Sequence, residues 1–213
     1  MKIKHTFTPP HKILACAIVT VSLVLAPGCA ASKNTEISAS VQDAAQQETG
    51  ISGFRDQAWG TDQADVEASV IASGMEKGAD YDTGEESGYY MISLQNVEVG
   101  GYNAAAAYVF QDNKLSFGVY QLDMDDNIFS DLLQKLTDKY GEPSAYTTDS
   151  GWGSCALWID ASKNYICISA FMDSIIYSSA GSSYTDQLSD TLSQYQGIDL
   201  KELLNRYGNT SGV

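Results

Sequence analysis

Three consecutive runs in which apolar side chains recur at every second position commit the middle of this chain to a β-sheet. They are Tyr90-Met91-Ile92-Ser93-Leu94, Ala105-Ala106-Ala107-Tyr108-Val109-Phe110 and Leu115-Ser116-Phe117-Gly118-Val119-Tyr120. Side chains on a strand alternate between faces, so a period of two presents one consistent face to a core. Asp112-Asn113 lies between the second and third runs, and these residues tolerate the left-handed backbone of a two-residue turn. With them as the loop, Phe110 faces Leu115 and Tyr108 faces Phe117, which gives the hairpin one large apolar face.

Helices flank these strands. Val66, Val70 and Ile71 recur at helical spacing behind Thr61 as N-cap and Asp65 in the first turn, with Gly74 as the stop. Residues 76 to 88 are acidic and Gly-rich and read as a loop. A stronger helix carries Ile128, Phe129, Leu132, Leu133, Leu136 and Tyr140 on one face, with Asp126 or Asn127 as cap and Gly141 and Pro143 ending it. Strands resume at Cys155–Ile159, Tyr165–Ser169 and Ile175–Tyr177. The tail holds two more helical stretches, one with Leu188, Leu192 and Tyr195, the other opening at Asp199 with Glu202 as its capping-box partner. The order helix-βββ-helix-βββ predicts an α+β domain, an antiparallel sheet with helices packed on one face and a helical C-terminal tail. A weak two-fold repetition of helix plus three strands runs through it.

Lys2, Lys4 and Lys12 precede a charge-free apolar run from Ile13 to Ala26, the plan of a secretory signal. That run is shorter than the roughly 20 residues a helix needs to cross a bilayer. It ends Leu25-Ala26-Pro27-Gly28-Cys29, which resembles the lipobox of bacterial lipoproteins. The resemblance implies cleavage before Cys29 and attachment of a diacylglyceryl group to its thiol. Pro27, and a leucine one position farther from the cysteine than usual, depart from that box; the alternative is ordinary cleavage after Ala30 or Ala31. Two acyl chains at about 0.8 kcal/mol per buried methylene make a stable anchor. The organisation expected is a signal over 1–28, a lipid-anchored tether over 29–53, an α+β domain over 54–180 and a helical extension over 181–213. The tether is rich in Ala, Ser, Gln and Thr, and as a flexible chain it spans roughly 25–30 Å.

With the signal removed, three of the 12 Lys and Arg go and none of the 27 Asp and Glu, leaving a net charge of −18. Such a field disfavours nucleic acid and favours basic partners or cations. Both histidines, His5 and His11, fall in the signal. Their loss excludes Ser-His-Asp and Cys-His catalysis and the histidine zinc sites, and no lysine has a serine three residues before it.

Phe54-Arg55, Trp59-Gly60-Thr61, Tyr108-Val109-Phe110, Lys114-Leu115, Lys139-Tyr140-Gly141-Glu142-Pro143, Trp158 and Ile176-Tyr177 occur in this order. Over residues 54 to 179 the pattern resembles a group of small, mostly uncharacterised bacterial lipoproteins and exported domains. More distantly it is similar to the β-lactamase inhibitory proteins and the small outer-membrane-assembly lipoproteins. The resemblance implies an interaction role and carries over no catalytic residue. On physical grounds Trp59 reads as a core anchor and Tyr140 with Gly141 as a helix stop.

Asp123, Asp125 and Asn127 stand like the start of a calcium loop, but Ile128 replaces the required glycine and Gln134 the bidentate glutamate. Asp80 and Asp82 begin a similar run that fails at Met91. No metal or other cofactor is expected. Cys155 and Cys167 are the thiols left beside Cys29, and they share a face only if the loop between their strands has an odd number of residues; a disulfide between them is left open. Tyr89-Tyr90, Tyr146 and Trp152, near glycines, are candidates for an aromatic platform for carbohydrate or peptide. The function expected is a lipid-anchored, non-enzymatic protein- or peptide-binding module of the cell envelope, held on the cell membrane or outer membrane. A carboxylate-based glycosidase and a ligand-sensing lipoprotein are the rivals.

Overall fold

The computed structural model describes residues 50–78, 81–82, 89–148 and 151–209. The expected signal, Cys29 and most of the expected tether lie outside these, as do most of the acidic 76–88 loop and the side chains of Tyr81 and Asp82. The chain divides into two units at residue 35, and the whole description belongs to the second.

The fold is α+β. Strands β1 (Gly53–Phe54) and β2 (Gln57–Ala58) make a small hairpin, followed by helix α1 (Gln63–Ser73). Then come β3 (Tyr81–Asp82), β4 (Tyr89–Val99), β5 (Tyr102–Gln111), β6 (Lys114–Gln121) and helix α2 (Asp126–Tyr140). The chain continues through β7 (Ala145–Thr147), β8 (Cys155–Ile159), β9 (Tyr165–Ser169), β10 (Ser174–Ser178), α3 (Tyr184–Gln196) and α4 (Leu200–Asn209). The large sheet has eight antiparallel strands in the order β3-β4-β5-β6-β10-β9-β8-β7. The order is palindromic: a helix and a four-strand meander occur twice, and the last strand of each meander pairs with that of the other, Val119 opposite Ile176. The two-fold repetition is therefore an approximate axis between β6 and β10, with four strands in each half instead of three.

Helices α1 and α2 share one face. Val66 and Val70 of α1 and Phe129, Leu132 and Leu136 of α2 form one cluster with Ile92, Leu94, Tyr108, Phe110, Trp158 and Ile168 from the sheet. The tail packs on the opposite face, where Leu188, Leu192, Ile198 and Leu200 close over Leu157, Ile159, Cys167 and Ile176. The C-terminal helices are thus part of the domain. Ile51 is also packed into the fold, since it is buried and its N–H donates to Asp160 Oδ2 at 2.8 Å.

Two local details differ from the sequence reading. Phe110 does pair with Leu115, but a bulge at Ser116 shifts the register, so Tyr108 meets Gly118 and Phe117 meets Val109. One extra residue sends Phe117 to the second face, because the side-chain period is two. Gly118 is left beneath the ring of Phe54, which is packed by Tyr108, Tyr120 and Tyr177 at centroid distances of 5.3, 4.9 and 5.6 Å. The helix caps also sit elsewhere. Asp62 holds the N-cap position of α1 without a side-chain capping bond, while Thr61 Oγ1 donates to the Ala58 carbonyl; Asp125 caps α2 and accepts the N–H groups of Asn127 and Ile128.

Candidate functional site

At one end of the sheet, three aromatic rings from three separate segments converge. Trp152 comes from the β7–β8 loop, Phe171 from the β9–β10 loop and Tyr195 from the last turn of α3. Phe171 and Tyr195 lie with centroids 4.9 Å apart and planes inclined by 33°. Trp152 stands nearly upright to both, at 5.4 Å and 78° from Phe171 and at 5.1 Å and 70° from Tyr195. These are favourable edge-to-face arrangements. The result is a right-angled corner with Trp152 as its wall.

Local backbone chemistry explains why the rings are held out. Gly151 and Gly153 flank Trp152 in the left-handed region, with φ of 78° and 90°, where any other residue is strained. Gly153 also lies against the neighbouring loop, since a Cβ there stands 3.3 Å from that of Ala170. The loops are tied together by Ala170 N–H donating to the Ser154 carbonyl at 3.0 Å. Beyond Phe171, Asp173 at φ 50° closes the β9–β10 turn, and its Oδ1 accepts the Met124 N–H at 3.1 Å. Trp152 is 52% exposed and Phe171 36%.

Of the candidate aromatic residues, the corner uses Trp152 alone. Tyr89 edges onto Phe117 and hydrogen-bonds Ser183; Tyr90 packs on Phe110; Tyr146 lies on the edge strand β7. Phe171 and Tyr195 were missed, because a ring in a short hairpin loop and a ring on a helix stripe look ordinary in isolation.

Cys155 and Cys167 do share a face, since the 160–164 loop has five residues. Their register is diagonal, Cys155 opposite Ser169 and Leu157 opposite Cys167, and the sulfur atoms are 3.8 Å apart and unbonded. The mutual hydrogen bond and burial hold the Cys155 thiol well above its ordinary range, so it is not a nucleophile in the folded protein. Asp125 Oδ1 is occupied by the two helix amides, and among the described residues no three His, Cys, Asp or Glu side chains gather as a metal site would require.

A cleft of about 340 Å³ opens at the other end of the sheet, lined by Lys163, Tyr165, Ser182, Ser183, Thr185 and Asp186 among others. Asp186 is its one carboxylate and is paired with Lys201 at 3.0 Å. Paired-carboxylate glycoside hydrolysis needs two carboxyl groups facing each other, which this lining lacks. Tyr165 OH lies 3.2 Å from Thr185 Oγ1, and burial pushes its pKa up to about 12.

Compared with protein-family models, with curated proteins and with solved structures, the chain gives no match in any of the three.

Proposed function

We propose that this chain is a lipid-anchored, non-enzymatic binding module of the cell envelope, and that a protein or peptide partner docks on Trp152, Phe171 and Tyr195. The observation that carries the reading is the exposure of two adjoining large rings in a domain that buries nearly all its other apolar bulk. Among the described residues the exposed large hydrophobics are Ile71, Tyr146, Trp152 and Phe171, and the last two touch. Tryptophan and tyrosine dominate the energetics of protein interfaces, and a contact patch works best when it is held rigid before binding. The Ala170–Ser154 hydrogen bond between the two loops and edge-to-face packing support the rings here. The anchor at Cys29 rests on the leader and the lipobox-like run.

The test is crosslinking in intact cells from a photoreactive residue at position 146, on the edge strand, with the captured species identified by mass spectrometry. A partner captured by the parent chain and reduced about tenfold by Trp152→Ala or Phe171→Ala supports the reading, that loss being about 1.4 kcal/mol. Equal capture by the variants, with folding unchanged, rules the corner out.

A further inference from the structure

We infer that the aromatic corner takes a cationic side chain of the partner, a lysine ammonium or an arginine guanidinium, by cation–π contact. The inference rests on the docking role proposed above and specifies its chemistry. A flat aromatic patch suits any apolar surface, but this one is not flat. Phe171 and Tyr195 overlap face to face with their planes inclined by 33°, and Trp152 stands across both at 70–78°. All three centroids lie within 5.4 Å of one another. Trp152 is 52% exposed, so a charge can approach its π-face to the roughly 6 Å at which the ring attracts it, and tryptophan is the best of the aromatic side chains for this.

Charge points the same way. The chain carries −15, and −18 once the signal is removed, so a cation is drawn to it before contact. Of the three segments that supply a ring, two have an aspartate close by in sequence, Asp173 after Phe171 and Asp199 after Tyr195. None has a lysine or arginine within five residues of its ring. Lys201, the next cation after Tyr195, is held by Asp186 and Asp190 at 3.0 and 3.8 Å. A carbohydrate platform has no need of such a field.

Fluorescence titration of the mature protein with an oligolysine peptide, with its fully acetylated form and with tetramethylammonium tests this. Trp158 is buried and Trp59 half-buried, so the exposed indole that responds is Trp152. Oligolysine should shift the emission saturably, tetramethylammonium weakly, and the acetylated peptide not at all. Phe171→Ala and Tyr195→Ala should each weaken oligolysine about tenfold, followed by the same tryptophan. Trp152→Phe, which keeps a ring, should retain more affinity than Trp152→Ala when both are followed by calorimetry, with urea midpoints as the control for folding. Equal binding of the acetylated peptide overturns the inference, and so does an affinity for oligolysine that no ring substitution alters, because the diffuse field then accounts for it. If cell capture depends on the corner while the acetylated peptide binds as well as the charged one, the docking role stands and the cation falls. If capture is indifferent to the corner, both fall.

Discussion

At Gly118 the fold depends on an absent side chain. A Cβ there comes within 2.1 Å of the Phe54 ring atoms, and that ring is wedged among Tyr108, Tyr120 and Tyr177 with no room to retreat. Overpacking a rigid core costs about 1–3 kcal/mol and more where nothing can yield. Gly118→Ala should therefore lower stability by about 3 kcal/mol in urea unfolding, and adding Phe54→Leu should return part of the loss, since residues in contact do not behave additively. A loss below about 0.5 kcal/mol shows that the ring moves freely. Tyr165 makes a second residue-scale prediction. Burial raises its pKa from 10.0 to about 12, so the folded state favours the neutral phenol. Above pH 10 the unfolded chain loses this proton while the folded chain keeps it, so the stabilisation is complete below pH 10 and is lost as the pH climbs towards 12. Two pH units correspond to about 2–3 kcal/mol. The urea midpoint should fall between pH 9 and 12, and Tyr165→Phe should flatten that fall; identical slopes in parent and variant place the alkaline sensitivity elsewhere.

Among the elements, α3 and α4 have a role that their sequence only half states. Leu188 and Leu192 announce an apolar stripe, but nothing local says what it covers. The answer lies in the strands: β8 and β9 are buried at every position, whereas a strand with one wet face alternates. Cys155-Ala156-Leu157-Trp158-Ile159 is a continuous apolar run, so the need for cover on both faces was written in it, and only the covering partner was not. Deleting residues 181–213 should expose Leu157, Ile159 and Ile176, abolish the sharp near-ultraviolet dichroism and bring on binding of a hydrophobic dye. A truncated chain that still melts cooperatively near the parent temperature shows that the tail is dispensable. Long periodic elements were legible for the same reason throughout: β4 to β6 from alternation, α2 from its 3.6-residue stripe and its Gly141 stop. β1, β2, β3 and β7, of two or three residues each, have too little pattern to read. The bulge at Ser116 leaves no composition signal, and by itself it reverses the faces that Phe117 and Gly118 were expected to take. The aromatic corner was legible at Trp152, where flanking glycines mark an exposed ring, and hidden at Phe171 and Tyr195, whose meeting is a product of tertiary packing.

For the whole molecule, what matters is which end of the sheet carries which feature. The first described residues lie at the β8–β9 turn, where the Ile51 N–H meets Asp160, and the cleft beside Lys163 lies at that end. The aromatic corner is at the other end of β8 and β9, in the loops after Thr147 and Ser169. Five strand residues at roughly 3.3 Å each separate the two by about 15 Å. The rings thus lie at the end of the sheet remote from the Lys163 cleft and from Ile51. The proposed lipid anchor stands or falls separately, on Cys29. Cells fed a palmitate analogue should label the parent chain, and fractionation should find it with membranes. Cys29→Ala should lose the label and pass into the soluble envelope fraction, or stay as an uncleaved precursor still bearing its leader, with the urea midpoint of the folded domain unchanged. The variant should also bind purified partner normally in solution while failing to hold it at the membrane. Equal labelling of parent and variant removes the lipid from Cys29.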